Sequence, residues 1–228
     1  MPYTVEHYKT RVEWLSHRGI GGSSASSILG VNPFRSAVEL YGEIIRNKPV
    51  TEEYEDKKNT EAKQYGNRLE PIIRKVFRLD YPQYTVRDPQ GFEMYRRKDK
   101  PYMTATLDGT LIDRSTKEKG ILEIKTRDMR KHEDRDEWDN HIPMNYYVQV
   151  LHYMLVKDDT TFAVLFAKQR FFEEKEDGVW GTAYSVFKPY YIYRSDEQVQ
   201  KDLLTLEKAE TRFWEEYVLK RQIPPLKI

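Results

Sequence analysis

The sequence predicts a single α/β domain. Apolar residues recur every three or four positions from about Ser36 to Arg46, from about Thr60 to Leu79 and again after Pro143, which is typical of helices. Between them, from Tyr84 to Thr126, short β-prone runs alternate with turn residues. No internal repeat, low-complexity tract or linker divides the 228 residues. This length is ample for one core, so we predict one domain over residues 1–228.

Composition excludes several classes of protein. No apolar run approaches the roughly 18 residues of a membrane span, so we expect no membrane association. The net charge of +1 gives no global basic field, so any nucleic-acid surface must be local. The absence of cysteine excludes disulfides, thiol catalysis and cysteine-bound zinc or iron–sulfur clusters. The N-terminus lacks the apolar segment of a secretory signal, and we expect a cytoplasmic protein.

The N-terminal third predicts three helices. Tyr8, Val12 and Leu15 share one face of an amphipathic helix over Val5–His17. A glycine-rich loop follows; a serine can cap the next helix and Gly30 can end it. The third helix is predicted from about Ser36 to Arg46, and a polar loop from Asn47 to Thr60.

A long helix is predicted from about Thr60 to Leu79. Pro71 lies inside it and removes one backbone hydrogen bond, which predicts a kink near Glu70. Glu70 neighbours the apolar stripe, although this position is also typical of a solvated carboxylate. The predicted stripe comprises Tyr65, Leu69, Ile72, Ile73, Val76 and Phe77.

The strand-rich middle predicts an antiparallel meander. Turn residues separate its runs, and a charged stretch from Lys125 to Arg135 follows them. That stretch predicts either a lid, a phosphate-facing loop or a solvated surface. The predicted strands are Tyr84–Arg87, Gly91–Arg96, Tyr102–Leu107, Thr110–Ile112 and Ile121–Thr126.

The C-terminal part predicts two helices around a strand pair. Pro143 suits the first turn of a helix that runs to about Val156, with Gln149 beside its core face. Strands follow at Thr161–Lys168 and Ala183–Tyr193, joined by an acidic loop over Glu173–Gly178. The run Ser195–Gln198 predicts a capping box that opens the last helix.

Two acidic residues and a lysine fall in the β-prone runs. Asp108 follows the run that begins at Tyr102, and Glu123 and Lys125 lie in the run Ile121–Thr126. Alternate strand residues share a face, so Glu123 and Lys125 should point the same way. Carboxylates bind hard cations such as Mg²⁺, which neutralise phosphate charge and lower the pKa of a bound water. The group therefore predicts metal-assisted phosphodiester hydrolysis.

Glu-x-Lys triplets by themselves are weak signals. They also occur at Glu55/Lys57, Glu61/Lys63 and Glu173/Lys175, in polar surroundings typical of solvated charge. Only Glu123/Lys125 lies in an apolar run, where unpaired charge costs free energy. An exposed strand with a wet charged face stays open as the alternative.

The glycine-rich segment after Arg18 offers a second candidate site. Gly19-Ile20-Gly21-Gly22-Ser23 opens a helix, and backbone N–H groups at a helix start suit a phosphate. Arg18 could add a bidentate contact. The segment is neither a P-loop nor a dinucleotide fingerprint, and a plain loop with a helix cap stays open.

Taken together, four blocks resemble the lambda-type exonuclease family, the YqaJ-like viral recombinases of the PD-(D/E)XK nuclease superfamily. The resemblance spans about Trp14 to Val156, and the blocks follow the family's order. They are Trp14-Leu15 with Arg18 and Gly19–Ser23; Gly66-Asn67-Arg68-Leu69-Glu70-Pro71; Leu107-Asp108-Gly109 with Leu122–Thr126; and Tyr147-Val148-Gln149-Val150 with His152-Tyr153-Met154.

The resemblance implies a restriction-endonuclease-like core, in which a central mixed β-sheet is flanked by helices. It implies a Mg²⁺-dependent 5′→3′ exonuclease on linear double-stranded DNA, with Mn²⁺ as a substitute. Such enzymes leave 3′ single-stranded tails for a phage annealing protein in viral DNA recombination by single-strand annealing. Members are often ring-shaped oligomers, commonly trimers.

By motif match the resemblance also implies roles for individual residues. Lys125 would position and activate the attacking water, and Gln149 would support that water or the lysine. The remaining roles form two groups. The metal ligands would be Asp108, Glu123 and the backbone carbonyl of Ile124, with Glu70 as an additional acid that acts directly or through metal-bound water; the 5′-phosphate contacts would be Arg18 and Ser23.

One departure from the family pattern affects the direction of digestion, 5′→3′, that the resemblance implies. Ser23 follows Arg18 by only five residues, about two fewer than in the family, so either Ser23 or Ser24 could take the serine role. Two other functions stay open on the same residues. A structure-specific or restriction-type endonuclease would cut closed circles, and a DNA-end-binding module would bind without turnover.

Overall fold

A five-stranded mixed sheet forms the framework of the computed structural model, which describes residues 2–46, 61–139, 141–174 and 180–226. A three-stranded sheet lies beside it. In chain order the elements are β1 (Tyr3–Tyr8), α1 (Arg11–Ser16), α2 (Gly22–Leu29), α3 (Ala37–Arg46), α4 (Glu61–Asp80), β2 (Tyr84–Arg87), β3 (Phe92–Arg97), β4 (Thr104–Ala105), β5 (Gly109–Asp113), β6 (Lys119–Met129), α5 (His132–Trp138), α6 (Met144–Val156), β7 (Phe162–Glu174), β8 (Trp180–Tyr193), α7 (Glu197–Arg212) and a π-helical segment (Phe213–Val218).

The large sheet has the strand order β2-β5-β6-β7-β8, and the small sheet has the order β1-β3-β4. The β6–β7 pair is parallel, because α5 and α6 carry the chain back across the sheet, and the other pairs are antiparallel. The predicted meander is therefore wrong. β3 and β4 instead form the small sheet, in which β3 pairs with β4 on one side and with β1 on the other. β1 lies about ninety residues before β3 in sequence.

The predicted helix over Val5–His17 is wrong in its first half. Residues 3–8 form β1, in which Tyr3 is buried and Val5 is exposed, and the helix is confined to α1. Thr10 caps this helix by accepting a hydrogen bond from the Glu13 backbone N–H at 3.1 Å. Pairing with β3 overrides the local apolar spacing, which fits either structure over so few residues.

Three residues or motifs were predicted to begin or end a helix, and the structure contradicts two of these predictions. Gly30 ends α2 in the left-handed region, with φ of 76°, as predicted. However, α2 begins after Gly21, which has no side chain to cap it. The N-cap of α7 is Asp196 and not Ser195, and no side-chain bond caps it, so the predicted capping box is wrong.

Helix α4 runs through Pro71, as predicted, and packs Ile73 and Phe77 on the sheet. The predicted stripe is wrong at Ile72, which is 55% exposed, whereas Arg74, which was not part of it, is buried. The kink near Glu70 stays a prediction. The predicted loop over 47–60 and most of the acidic loop over 173–178 lie outside the described residues.

The charged stretch after Lys125 is not a loop. β6 extends to Met129, and α5 follows from His132. The predicted strand Tyr102–Leu107 is in turn shortened to Thr104–Ala105. These changes leave Asp108 in a bend at the start of β5, directly beside the middle of β6.

The two faces of the large sheet carry separate cores. One face packs Leu122, Ile124 and Phe166 against α4. The other packs Ile121 and Leu165 against α6, which in turn contacts α2 and α7. Among the described residues, no helix combines the length and the apolar character needed to cross a bilayer. The arrangement holds α4 and α6 on opposite sides of β6.

Candidate active site

The candidate site lies where β5 and β6 separate. Their pairing ends at Gly109 and Leu122, so the next residues of β6 have no partner strand on that side. The Asp108 carboxylate fills this position and accepts a hydrogen bond from the Ile124 N–H at 2.8 Å. The N–H and C=O of one strand residue point to the same side, so the Ile124 carbonyl faces the same cleft.

Glu123 and Lys125 share one face of β6, as predicted. The Lys125 Nζ donates to Glu123 Oε1 at 2.5 Å, and the Gln149 Nε2 donates to the same oxygen at 2.8 Å. Gln149 also contacts the hydroxyl of Tyr153, one turn further along α6, at 2.7 Å. The Lys125 ammonium lies 5.1 Å from the centre of the Tyr146 ring. Two residues of β6 and one face of α6 thus form a connected polar group.

Helix α4 closes the other side of the cleft. A Cβ at Gly66 would lie 3.4 Å from Thr126 Oγ1, an ordinary van der Waals distance, so the helix lies against β6 at this point. Glu70 follows one turn later and lines the same cleft, whose volume is about 350 Å³. Its carboxylate pairs with Arg74, which is buried and also contacts Asp88 at 3.2 Å. Glu70 is therefore held by a fixed cation.

The site concentrates negative charge. Burial, and then the neighbouring Asp108, raise the pKa of Glu123 to about 8 and the pKa of Glu70 to about 7. Burial also raises the pKa of Asp108. For Lys125 burial acts to lower the pKa, but the Glu123 and Asp108 carboxylates raise it above its ordinary value. The acids repel one another, and the lysine is held as a cation.

The residues of the site fit a divalent cation. Glu123 Oε2 is buried without a hydrogen-bond partner, which is costly for a carboxylate unless a cation or donor meets it. Asp108 and the Ile124 carbonyl supply further oxygens of the type that Mg²⁺ prefers. Within the described ranges, no three acidic or histidine side chains converge as a ready ligand cage. The arrangement thus suits an open site with few protein ligands.

The glycine loop docks against the small sheet and α6. The Ile20 N–H donates to the Tyr102 carbonyl at 2.6 Å, and the Gly19 N–H donates to Thr104 Oγ1 at 3.1 Å. A Cβ at Gly19 would lie 2.0 Å from the Tyr102 carbonyl oxygen, so only glycine fits. The loop is therefore anchored by backbone contacts to residues near β4.

The predicted phosphate contacts differ in accessibility. Arg18 is exposed, and its guanidinium lies 4.9 Å from the Trp14 ring and 3.1 Å from a Cβ built at Gly21. Ser23 is exposed in the first turn of α2. Ser24 is buried, and its hydroxyl accepts a hydrogen bond from Arg35 at 3.1 Å. Of the two serines, only Ser23 faces solvent.

Gly22 joins the loop to the carboxylate site. A Cβ at this position would lie 2.6 Å from Gln149 Cγ and 2.8 Å from Tyr153 Cε1. Gly22→Ala is therefore expected to lower the free energy of unfolding by about 1–3 kcal/mol, because α2 or α6 must shift. Urea unfolding measures this change, and displacement of Gln149 should also lower any turnover.

Gly66→Ala is the matched control, since this helical glycine has room for a methyl group. Alanine there is expected to leave stability unchanged or raise it by up to about 1 kcal/mol. Equal stabilities of the two variants would contradict the close contact at Gly22.

Several residues of the site were not predicted. Each of them contacts a residue that was predicted: Arg74 contacts Glu70, Tyr146 contacts Lys125, Tyr153 contacts Gln149, and Arg35 contacts Ser24. Helical spacing could have found two of them, since Arg74 and Tyr153 each lie four residues after the group they contact. The other two contacts depend on packing between separate elements.

Comparison with known proteins agrees with this architecture. Residues 13–163 match the YqaJ-like viral recombinase domain. The uncharacterized protein YqaJ of Bacillus subtilis strain 168 is 33% identical over 224 residues, which cover 95% of this chain and 59% of that protein. The chain thus spans about three fifths of the length of this relative.

One solved structure supports the fold class, and a second has a lower TM-score. The alkaline exonuclease LHK-Exo from Laribacter hongkongensis has a TM-score of 0.57 and 16% identity, over 92% of this chain and 96% of that one. A phage-related exonuclease from Haemophilus somnus 129PT has a TM-score of 0.48 and 15% identity, over 91% and 98%. The predicted mixed sheet with flanking helices is confirmed. From the family match over residues 13–163 and the identity to YqaJ, it follows that the chain belongs to the YqaJ-like viral recombinase domain family.

Proposed function

We propose that this chain is a Mg²⁺-dependent exonuclease that degrades linear double-stranded DNA from 5′ to 3′ and leaves 3′ single-stranded tails. The observation that carries the proposal is the meeting of Asp108, Glu123 and Lys125 where β5 and β6 separate, with one carboxylate oxygen of Glu123 buried and unpartnered. Membership of a viral recombinase family supports a role in DNA recombination.

A divalent cation, when bound, would supply charge that neutralises the scissile phosphate and makes a water more acidic. Asp108, Glu123 and the Ile124 carbonyl would hold it, and Mn²⁺ would substitute for Mg²⁺. Glu70 would act as the additional acid from α4. These ligands are oxygens, as both ions prefer.

The protein's own groups would orient the reactants. Lys125 Nζ, kept protonated by Glu123 and Asp108, would donate a hydrogen bond that positions the attacking water. Gln149 would hold Glu123 Oε1 in place through its amide, and Tyr153 would fix that amide in turn. Because these groups are bound to one another before substrate arrives, little reorganisation is needed.

Recognition of the DNA end would fall to the glycine loop. Arg18 and the exposed Ser23 would contact the 5′-phosphate, with Ser24 fixed in the interior. The start of α2 adds backbone N–H groups toward the same anion. A terminal phosphate held here would set which strand enters the cleft.

Digestion of one plasmid tests the proposal. A 5′-phosphorylated linear duplex should be consumed in Mg²⁺, with a 5′ label released before a 3′ label, and the covalently closed circle should persist. Cleavage of the circle would identify a structure-specific or restriction-type endonuclease. Binding without any product would identify a DNA-end-binding module.

Arg18→Ala is expected to slow digestion of 5′-phosphorylated ends about tenfold or more, and 5′-hydroxyl ends much less, because only the former lose a charge-assisted contact. Initial rates on the two substrates measure the ratio. Arg11→Ala, on α1 shortly before Arg18 in the chain, is the control and should leave the ratio unchanged. Equal losses on both substrates would refute a phosphate contact at Arg18.

Two partners belong to the same proposal. A single-strand annealing protein would take up the 3′ tails, and a homo-oligomer, such as a trimeric ring, would enclose the DNA. Both follow from the family resemblance, and mass measurement in solution with and without DNA tests the second.

A further inference from the structure

We propose that a cluster of cations and rings beside the cleft is a second DNA contact, which holds the phosphodiester backbone beyond the scissile phosphate. This inference rests on the proposed function, because it takes DNA to be the substrate. The cluster, called here the hairpin cluster, comprises Tyr65 on α4, Arg130 just after β6, and Lys168, Arg170 and Phe172 on β7.

The hairpin cluster begins at the rim of the cleft. Lys168 pairs with Thr126 of β6, and Thr126 lines the cleft. Arg170 lies two residues later on β7 and shares the same face. Tyr65 reaches both of them from α4, with its hydroxyl 3.1 Å from Lys168 Nζ. A strand of DNA that leaves the cleft on the α4 side would therefore meet these cations first.

The rings hold the cations in defined positions. The Arg170 guanidinium lies 4.0 Å from the centre of the Tyr65 ring and 5.3 Å from that of Phe172. The Arg130 guanidinium lies 4.7 Å from the same Phe172 ring. A guanidinium stacked on a ring keeps its N–H donors in one plane, which suits bidentate contact with phosphate. The rings also provide faces on which an unpaired base can stack.

The charge of the hairpin cluster favours an anion. Asp128 pairs with both arginines, at 2.7 Å from Arg170 Nε and 3.3 Å from Arg130 Nη2. Three cations, including Lys168, and this one carboxylate leave a formal charge of +2 in one place, whereas the whole chain carries +1. Like charges held close together repel, and a polyanion relieves that repulsion.

The dimensions suit several phosphates. The four steps from Lys168 to Phe172 along β7 span about 13 Å at roughly 3.3 Å per residue. One strand of B-DNA rises about 3.4 Å per phosphate along the axis, and its phosphates lie farther apart along the backbone, so the cluster could contact about two or three. The glycine loop with Arg18 lies across the cleft, on the α6 side. The cleft is thus flanked by one cationic site on each side.

Fluorescence anisotropy with the full chain tests the hairpin cluster. The probes are a 5′-phosphorylated duplex and its labelled single strand, in EDTA and at 50–200 mM salt. Arg130→Gln and Lys168→Gln are each expected to raise Kd about fivefold at low salt and to lower the slope of log Kd against log salt by about 0.9. Arg130 has a side chain that is 60% exposed, so its variant should fold normally, as thermal melting checks.

Arg212→Gln is the matched control, because Arg212 is similarly exposed, at 67%, and lies on α7. Its Kd and salt slope should equal those of the unaltered chain. If both cluster variants match this control while the unaltered chain binds DNA, the hairpin cluster has only a structural role. This inference then fails, and the proposed function stands. If the unaltered chain binds neither probe, the proposed function fails as well. A higher Kd for just one of the two probes supports the hairpin cluster as a DNA contact and identifies which form of DNA it holds.

Discussion

Lys125→Ala is expected to lower the rate of DNA cleavage by about 10³-fold, within the range for loss of a positioned proton donor, while DNA affinity changes less than about threefold. Lys125 Nζ lies 2.5 Å from Glu123 Oε1, inside the cleft and away from both flanking cationic sites. Its loss removes the group that we propose to orient the water and leaves the proposed phosphate contacts in place. Single-turnover rates in Mg²⁺ and anisotropy in EDTA measure the two effects separately.

Lys119→Ala provides the control on the same strand. Lys119 begins β6 and pairs with Asp159 at the exposed surface, where an ion pair contributes little. Its cleavage rate should stay within about twofold of the unaltered chain. Near-normal turnover of Lys125→Ala would remove Lys125 from the catalytic group, whatever the control shows.

Asp108→Asn is expected to abolish the stabilisation of the fold by divalent metal, together with cleavage. An asparagine oxygen can still accept the Ile124 N–H, so the bend should keep its geometry. The negative charge that would attract the cation is lost, and with it the repulsion toward Glu123 and Glu70. We therefore expect metal-free stability to be unchanged or higher.

Thermal melting with and without Mg²⁺ or Mn²⁺ measures this effect without any turnover. At a metal concentration of about one hundred times Kd, the unaltered chain should gain about 2.7 kcal/mol, or roughly 5–10 °C in Tm. Asp108→Asn should gain almost none. Asp113→Asn, at the far end of β5, is the control and should keep the full shift. An unchanged metal shift in Asp108→Asn would refute its role as a ligand.

The chemistry of the candidate site could be predicted from the sequence because its groups lie in short, recognisable runs. The alternation of β6 alone placed Glu123 and Lys125 on one face, and the structure confirms that they touch. Helical spacing after Pro143 placed Gln149 beside the core face of its helix, and the structure brings its amide to Glu123 on this strand. The roles of these residues in metal binding and catalysis stay predictions.

The pairing of strands could not be predicted in the same way. The apolar spacing around Tyr8 fits a helix locally, but β1 forms because β3 offers it a partner far along the chain. The same choice removes β3 and β4 from the large sheet and brings β2 directly against β5. Local periodicity reports only neighbours within about four residues, whereas pairing is decided by contacts between distant segments.

The sequence by itself determined which groups are present and the approximate positions of most elements: two acids and a lysine around short strands, a glycine loop, and a long helix that carries Glu70. The tertiary structure decided how they meet. It set Asp108 against Ile124, packed Gly22 onto Gln149, buried Arg74 beside Glu70 and gathered the hairpin cluster at the rim of the cleft. The physical reason is that burial and close packing join surfaces of separate elements, and their spacing along the chain carries no record of that contact.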